Sequence, residues 1–109
     1  MKHLLVVYHT QSGSAEQLAQ SALEGAQLEE IEVRLCRAMD AGLADLTWCD
    51  AVIFVTPENF GALAGGMKDF FDRTYYPALP LQLNRAYAVI VSAGNDGRGA
   101  ANQLERIAL

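Results

Sequence analysis

The sequence predicts an α/β fold in which a parallel β-sheet carries helices on both faces. Apolar or alternating segments of strand length recur four times, a helical stretch follows each one, and polar glycine-bearing turns come after the first, third and fourth. Strands that are apolar on both sides are buried on both sides, and short β-α-β crossovers lay helices on each face to cover them. The 109 residues suit one domain, read as 1–109, and 51% apolar content with 19% charge excludes a disordered tail.

Each element has its own local reason. Residues 4–8 are a continuous apolar run, as expected of a strand with no wet face. After the polar turn at 9–14, Ala15, Leu18, Ala19, Ala22, Leu23 and Ala26 fall on one helical stripe, and Ser14 stands three residues before Gln17, the spacing of a capping box. Residues 31–36 alternate strictly, which suits a strand with one wetter face near a sheet edge. A short helical piece follows over 41–46. Residues 51–55 are again wholly apolar and are expected to close at Thr56-Pro57. Met67, Phe70, Phe71, Thr74 and Tyr75 repeat at helical spacing, and the helix is expected to stop before Pro77. Residues 87–91 form the fourth strand, and 99–109 read as a final helix.

Charge and cysteine usage narrow the function classes. A net charge of −5 opposes sequence-independent binding to nucleic acid or to an anionic membrane, both of which need a basic face. The acids crowd into the first sixty residues, so an acidic docking face for a redox partner would come from that half. Cys36 and Cys49 are too far apart for a CxxC pair and too few for a disulfide scaffold, and are expected to be inert buried thiols in a cytoplasmic protein. The opening apolar run is shorter than a signal-peptide core and far shorter than the ~20 residues of a membrane span. His3 and His9 lack a third ligand at useful spacing, so no metal is expected; His9 is read first as a packed structural residue. Trp48, Phe54, Phe70 and Phe71 are read as core.

Ligands of such sheets bind beyond the carboxyl ends of the strands. The first loop offers hydroxyls at Thr10, Ser12 and Ser14, the amide of Gln11 and a flexible Gly13, and opens directly into a helix N-terminus. Unpartnered amides there favour an anion. The loop contains neither the lysine of a Walker motif nor a GxGxxG dinucleotide fingerprint, so it suits a single phosphate monoester held by neutral donors. In the second loop, Pro57, Glu58, Asn59, Phe60 and Gly61 combine a rigid entry, polar groups and an aromatic. Glycines at 61, 65 and 66 allow a flat ring close to the backbone. The third loop, with Ser92, Gly94, Asn95, Asp96 and Gly97, carries turn chemistry as well as polar groups.

These residues resemble a known family. Residues 8–14, Tyr-His-Thr-Gln-Ser-Gly-Ser, are similar to the phosphate loop of flavodoxin-like proteins, and residues 56–61 followed by 67–74 are similar to their second flavin segment. The resemblance is greatest to flavodoxin-like FMN reductases and NAD(P)H:quinone oxidoreductases, including the tryptophan-repressor-binding-protein-like branch. It implies a flavodoxin-like three-layer α/β/α sandwich with strand order 2-1-3-4. It also implies FMN, with its phosphate on Thr10, Gln11, Ser12, Gly13 and Ser14. The isoalloxazine would lie against Pro57, Glu58, Asn59, Phe60 and Gly61 and against Ser92, Gly94, Asn95, Asp96 and Gly97. The flavin would perform the redox step, so no catalytic nucleophile is expected, and a negative Glu58 or Asp96 near the ring would disfavour its anionic reduced form. Two features depart from the family pattern. The third loop has no Tyr or Trp, and the resembled fold has a fifth strand and a last helix beyond the four of each counted here. The domain is therefore expected to be incomplete at its C-terminus or covered along strand four by a partner subunit, and Leu104, Ile107 and Leu109 are expected to be exposed.

Three readings remain open: an NAD(P)H-dependent flavin enzyme acting on a quinone or similar acceptor, a flavodoxin-type carrier serving a redox partner protein, and a non-enzymatic flavin-binding or empty scaffold. A homo-oligomer is expected. A phosphorylated receiver domain of similar fold is excluded, because the ends of strands one and three carry no acidic residues for magnesium.

Overall fold

The computed structural model describes residues 2–81, 83–93 and 97–108. Four parallel strands form the sheet: β1 (Lys2–Tyr8), β2 (Ile31–Arg37), β3 (Ala51–Asn59) and, after a short β4 (Ala62–Leu63), β5 (Ala86–Ser92). Their spatial order is β2-β1-β3-β5, the expected 2-1-3-4 arrangement. The two-residue β4 was not legible in the sequence. It runs antiparallel to the end of β3, pairing Glu58 with Leu63 and Asn59 with Ala62. β3 thus continues through Thr56 and Pro57 rather than closing there, because its last residues leave the parallel ladder and turn back on β4.

Side-chain alternation sorts the strands into two cores. Leu5, Val7, Val52 and Phe54 point to the face covered by α2 (Leu43–Trp48), α3 (Gly65–Ala78) and α4 (Arg98–Ala108), where Met67, Phe70 and Leu104 are fully buried. Phe54 meets Phe71 and Phe70 at ring-centroid distances of 5.0 and 6.1 Å. Val6, Tyr8 and Val55 point to the other face, where Ala15 and Ala19 of α1 (Ser14–Ala26) are packed against them. Small residues on that stripe let the helix lie close to the sheet.

Several expectations need correction. Ser14 is the first residue of α1 and not its cap: the cap is Gly13, which forms no side-chain cap hydrogen bond. α3 runs through Pro77 to Ala78, since a proline in the last turn forfeits a single backbone bond and Leu79 still reaches the carbonyls of Tyr75 and Tyr76. Leu104 is fully buried, and Ile107 is packed against the same core, because α4 lays its apolar stripe on β3, β4 and β5. Leu109 lies outside the described residues.

At the amino-terminal end of the sheet the His3 imidazole stacks on Trp48 at 4.4 Å, and the Arg34 guanidinium lies 4.1 Å from the Trp48 ring centroid. Burial raises the thiol pKa of both Cys36 and Cys49, as expected of unreactive cysteines. No described helix is long and apolar enough to cross a membrane. Leu104→Ala removes a fully buried side chain and should destabilise the fold by about 2–5 kcal/mol, read as a lower denaturant midpoint in urea unfolding.

Candidate functional site

The carboxyl ends of β1, β3 and β5 lie side by side, and the loops leaving them enclose a cleft of about 460 Å³. Thr10, Gln11, Ser12, Ser14, Pro57, Glu58, Asn59 and Ser92 all line it, together with Ala15 and Ala93. Eight of the anticipated residues, drawn from three separated segments, thus share one cavity. Gly13 shapes the first loop from behind: its φ is 95°, and its N–H donates to Thr10 Oγ1 at 2.9 Å. With a left-handed glycine at the cap, no side chain among the described residues bonds the amides of Ser14, Ala15 and Glu16 at the helix start.

Two hydrogen bonds join the three loops. Asn59 Nδ2 donates to Gln11 Oε1 at 2.8 Å, and the hydroxyls of Ser14 and Ser92 share a bond of 2.9 Å. Phe60 and Gly61 stand at the tip of the second loop, outside the cleft lining. Both have positive φ, 52° and 70°, and Phe60 is wholly exposed. A non-glycine residue in the left-handed region costs about 1–2 kcal/mol, and such strain concentrates at binding loops. Gly97 lies just before α4 with φ 78°, whereas Gly94, Asn95 and Asp96 are outside the described residues.

The second loop is held from below by α4. Glu58 Oε2 accepts the Ala100 N–H at 3.1 Å, so the carboxylate caps the helix, and Glu58 is also one of the residues lining the cleft. A Cβ at Gly99 would overlap the carbonyl of Gly61, so only glycine lets the helix start press against that turn. Gln103 accepts the Leu63 N–H at 2.8 Å and ties β4 to the same helix.

His9 does not face this cleft. Its ring lies against Gly66 at the start of α3, where a Cβ would overlap the imidazole, in agreement with a packed residue. Beside it stands Arg37, at the end of β2 and in register with Tyr8. Arg37 stands one residue past the alternating run read at 31–36, where the structure extends β2 by one position. Desolvation, followed by the Arg37 charge, lowers the His9 pKa from its ordinary 6.5.

The parallel order β2-β1-β3-β5 and the three-loop cleft define a flavodoxin-like α/β protein. Residues 37–109 match the family described as NADPH-dependent FMN reductase, and the chain belongs to that family. It is 38% identical over 73 residues to a flavodoxin of Aquifex aeolicus, covering 66% of this chain and 40% of the relative. It is 34% identical over 95 residues to an NAD(P)H dehydrogenase (quinone) of Acidithiobacillus ferrooxidans, covering 68% of this chain and 48% of the relative. The chain therefore spans about half the length of the curated relatives it matches. Among solved structures, a WrbA-like flavodoxin from Agrobacterium tumefaciens superposes with a TM-score of 0.76 at 23% identity, over 98% of this chain and 69% of that one.

Because the folded state holds His9 below its unfolded pKa, the unfolded chain takes up the proton first. Stability is then lost as pH falls from near 6.5 toward the folded value. His9→Gln should reduce that loss, read as a shallower fall in urea midpoint than wild type between about pH 7.5 and 5.5.

Proposed function

We propose that this chain binds FMN in the three-loop cleft and uses it to pass reducing equivalents from NAD(P)H to a quinone or similar small-molecule acceptor. The observation that carries the reading is a cleft of neutral donors at a helix N-terminus, in a chain of the NADPH-dependent FMN reductase family. The donor set fits the group. Open first-turn amides and the hydroxyls of Thr10, Ser12 and Ser14 suit a phosphate monoester, and no lining side chain is cationic. Asn59, Pro57 and the exposed Phe60 offer polar and apolar contacts to a flat ring. Bound FMN supplies the redox chemistry, while the protein supplies position and electrostatics.

The protein's own contribution is then largely fixed geometry. The Gln11–Asn59 and Ser14–Ser92 bonds hold the loops at one separation, and the bond from the Ala100 amide fixes the Glu58 side chain against α4. A second reading, a carrier without NAD(P)H turnover, draws support from the Aquifex relative named flavodoxin. Self-association belongs to either reading, since β5 is paired only with β3 among the described residues.

The purified protein should be yellow or should take up added FMN, and NADPH or NADH added without air should bleach it. Uptake without bleaching supports the carrier, and failure to take up flavin overturns both readings in favour of an empty scaffold. Glu58→Gln keeps an oxygen for the Ala100 amide but removes the negative charge. It should raise the midpoint potential of the bound flavin by on the order of 30 mV, the two-electron equivalent of about 1.4 kcal/mol; an unchanged potential would remove Glu58 from the tuning role.

A further inference from the structure

A cavity of about 270 Å³ opens on the face of the sheet that carries α3 and α4. Phe54 of β3 and Tyr87 of β5 line it from the sheet, and Phe71 and Tyr75 line it from α3. Arg85, immediately before the first residue of β5, is its one charged lining residue. No residue lines both this cavity and the three-loop cleft.

The charge of Arg85 has no counter-ion. Among the described residues no carboxylate lies within ion-pairing distance of its half-buried guanidinium. Nη2 donates to the Thr47 carbonyl at 3.3 Å, whereas Nε is buried with no hydrogen-bond partner. The Asp50 carboxylate accepts the His3 amide at 2.8 Å instead. The Cys49 thiol feels the guanidinium, but burial outweighs that influence and raises its pKa, so the sulfur supplies no anion.

A partly desolvated cation with one long hydrogen bond is costly, and a carboxylate relieves it by accepting two N–H groups of the planar fork at once. The rest of the lining is apolar or aromatic in character. The Thr74 hydroxyl is already spent on the Phe70 carbonyl at 2.9 Å. Phe54 and Phe71 meet at 5.0 Å with their planes tilted by 50°, so they present both ring face and ring edge. Apolar walls with a single polar anchor are the anatomy of a small-molecule site.

We propose that this cavity is a second binding site, for a compact aryl carboxylate. Its carboxylate pairs with Arg85, and its ring lies among Phe54, Phe71 and Tyr87. One guanidinium answers one negative charge, so the ligand is a monoanion rather than a polyphosphate. The site stands apart from the flavin reading, since the two cavities share no lining residue.

The probes are 2-naphthoate and 2-naphthamide, which share a shape and differ in charge. Each is titrated by calorimetry into the full chain with saturating FMN present, and the contacts of the bound probe are read by NMR. The acid should bind about tenfold or more tightly than the amide, with intermolecular NOEs to the Phe71 and Tyr87 rings. Arg85→Gln should abolish that preference, whereas Arg37→Gln, an exposed charge at the other end of the sheet, should leave it intact. Ala78→Trp, which fills the cavity from α3, should remove binding of both probes.

Equal affinity of acid and amide for the wild-type protein overturns the inference without recourse to any variant, and so does the failure of both to bind. NOEs to Ser12 or Asn59 of the three-loop cleft overturn it, as does an equal response to Arg85→Gln and Arg37→Gln. A dimer detected by sedimentation that excludes 2-naphthoate also overturns it and gives the cavity to a second copy of the chain. A protein that takes up no FMN overturns the proposed function alone, because the charge preference and the NOEs are read without flavin.

Discussion

The pairing of β1 with β3, Leu4 with Ala51 through Tyr8 with Val55, is the constraint on which the molecule depends. Both strands are covered on both faces, so their backbone groups have only each other and the next strands for partners. A shift of one residue would send Val6 and Val55 to the face built for Val7 and Phe54, exchanging small positions under α1 for large ones beneath α3. The register therefore follows from packing on two sides at once. It also fixes where the chain leaves the sheet: His9 follows Tyr8 directly and donates its amide to Val55, so the first and second loops depart from neighbouring points.

The cleft is then shaped from the side opposite α1. Glu58, Gly61 and Leu63 are each met by α4, through the Ala100 amide, the Gly99 backbone and the Gln103 side chain. Leu104 anchors that helix in the core one turn further on. A loop with left-handed residues at its tip is thus braced by an element whose own position is set by burial. Precise sites need such support, because a loop that orders only on binding loses affinity to its own entropy.

Much of this was readable before any coordinates. Strands of unbroken Leu, Val, Ile and Phe, alternating with stripes such as Ala15, Leu18 and Ala19, constrain the architecture strongly, since few arrangements bury both faces of so many strands. The site was legible for a related reason: hydroxyls, amides and glycines replaced apolar residues where three strands end. What escaped depended on tertiary partners. Ser14 has the spacing of a capping box, yet its hydroxyl meets Ser92, 78 positions away in the chain. Leu104 looked uncovered because nothing local shows α4 folding back on β3 and β4. Pro77 reads as a stop, but a last-turn proline forfeits little. Arg37 extends β2 one residue past the alternating run at 31–36, because its pairing with Tyr8 of β1 is a tertiary one.

Trp48, the chain's one tryptophan, sits at the end of α2 against His3 and Arg34, at the opposite pole of the sheet from the cleft. Its indole is surrounded by groups from β1, β2 and α2, none of which lines the three-loop cavity. The intrinsic emission of the protein is therefore an optical gauge of whether its amino-terminal pole is folded, spatially separate from the cleft. Two signals from two ends of one sheet distinguish a loosened loop from a melted molecule.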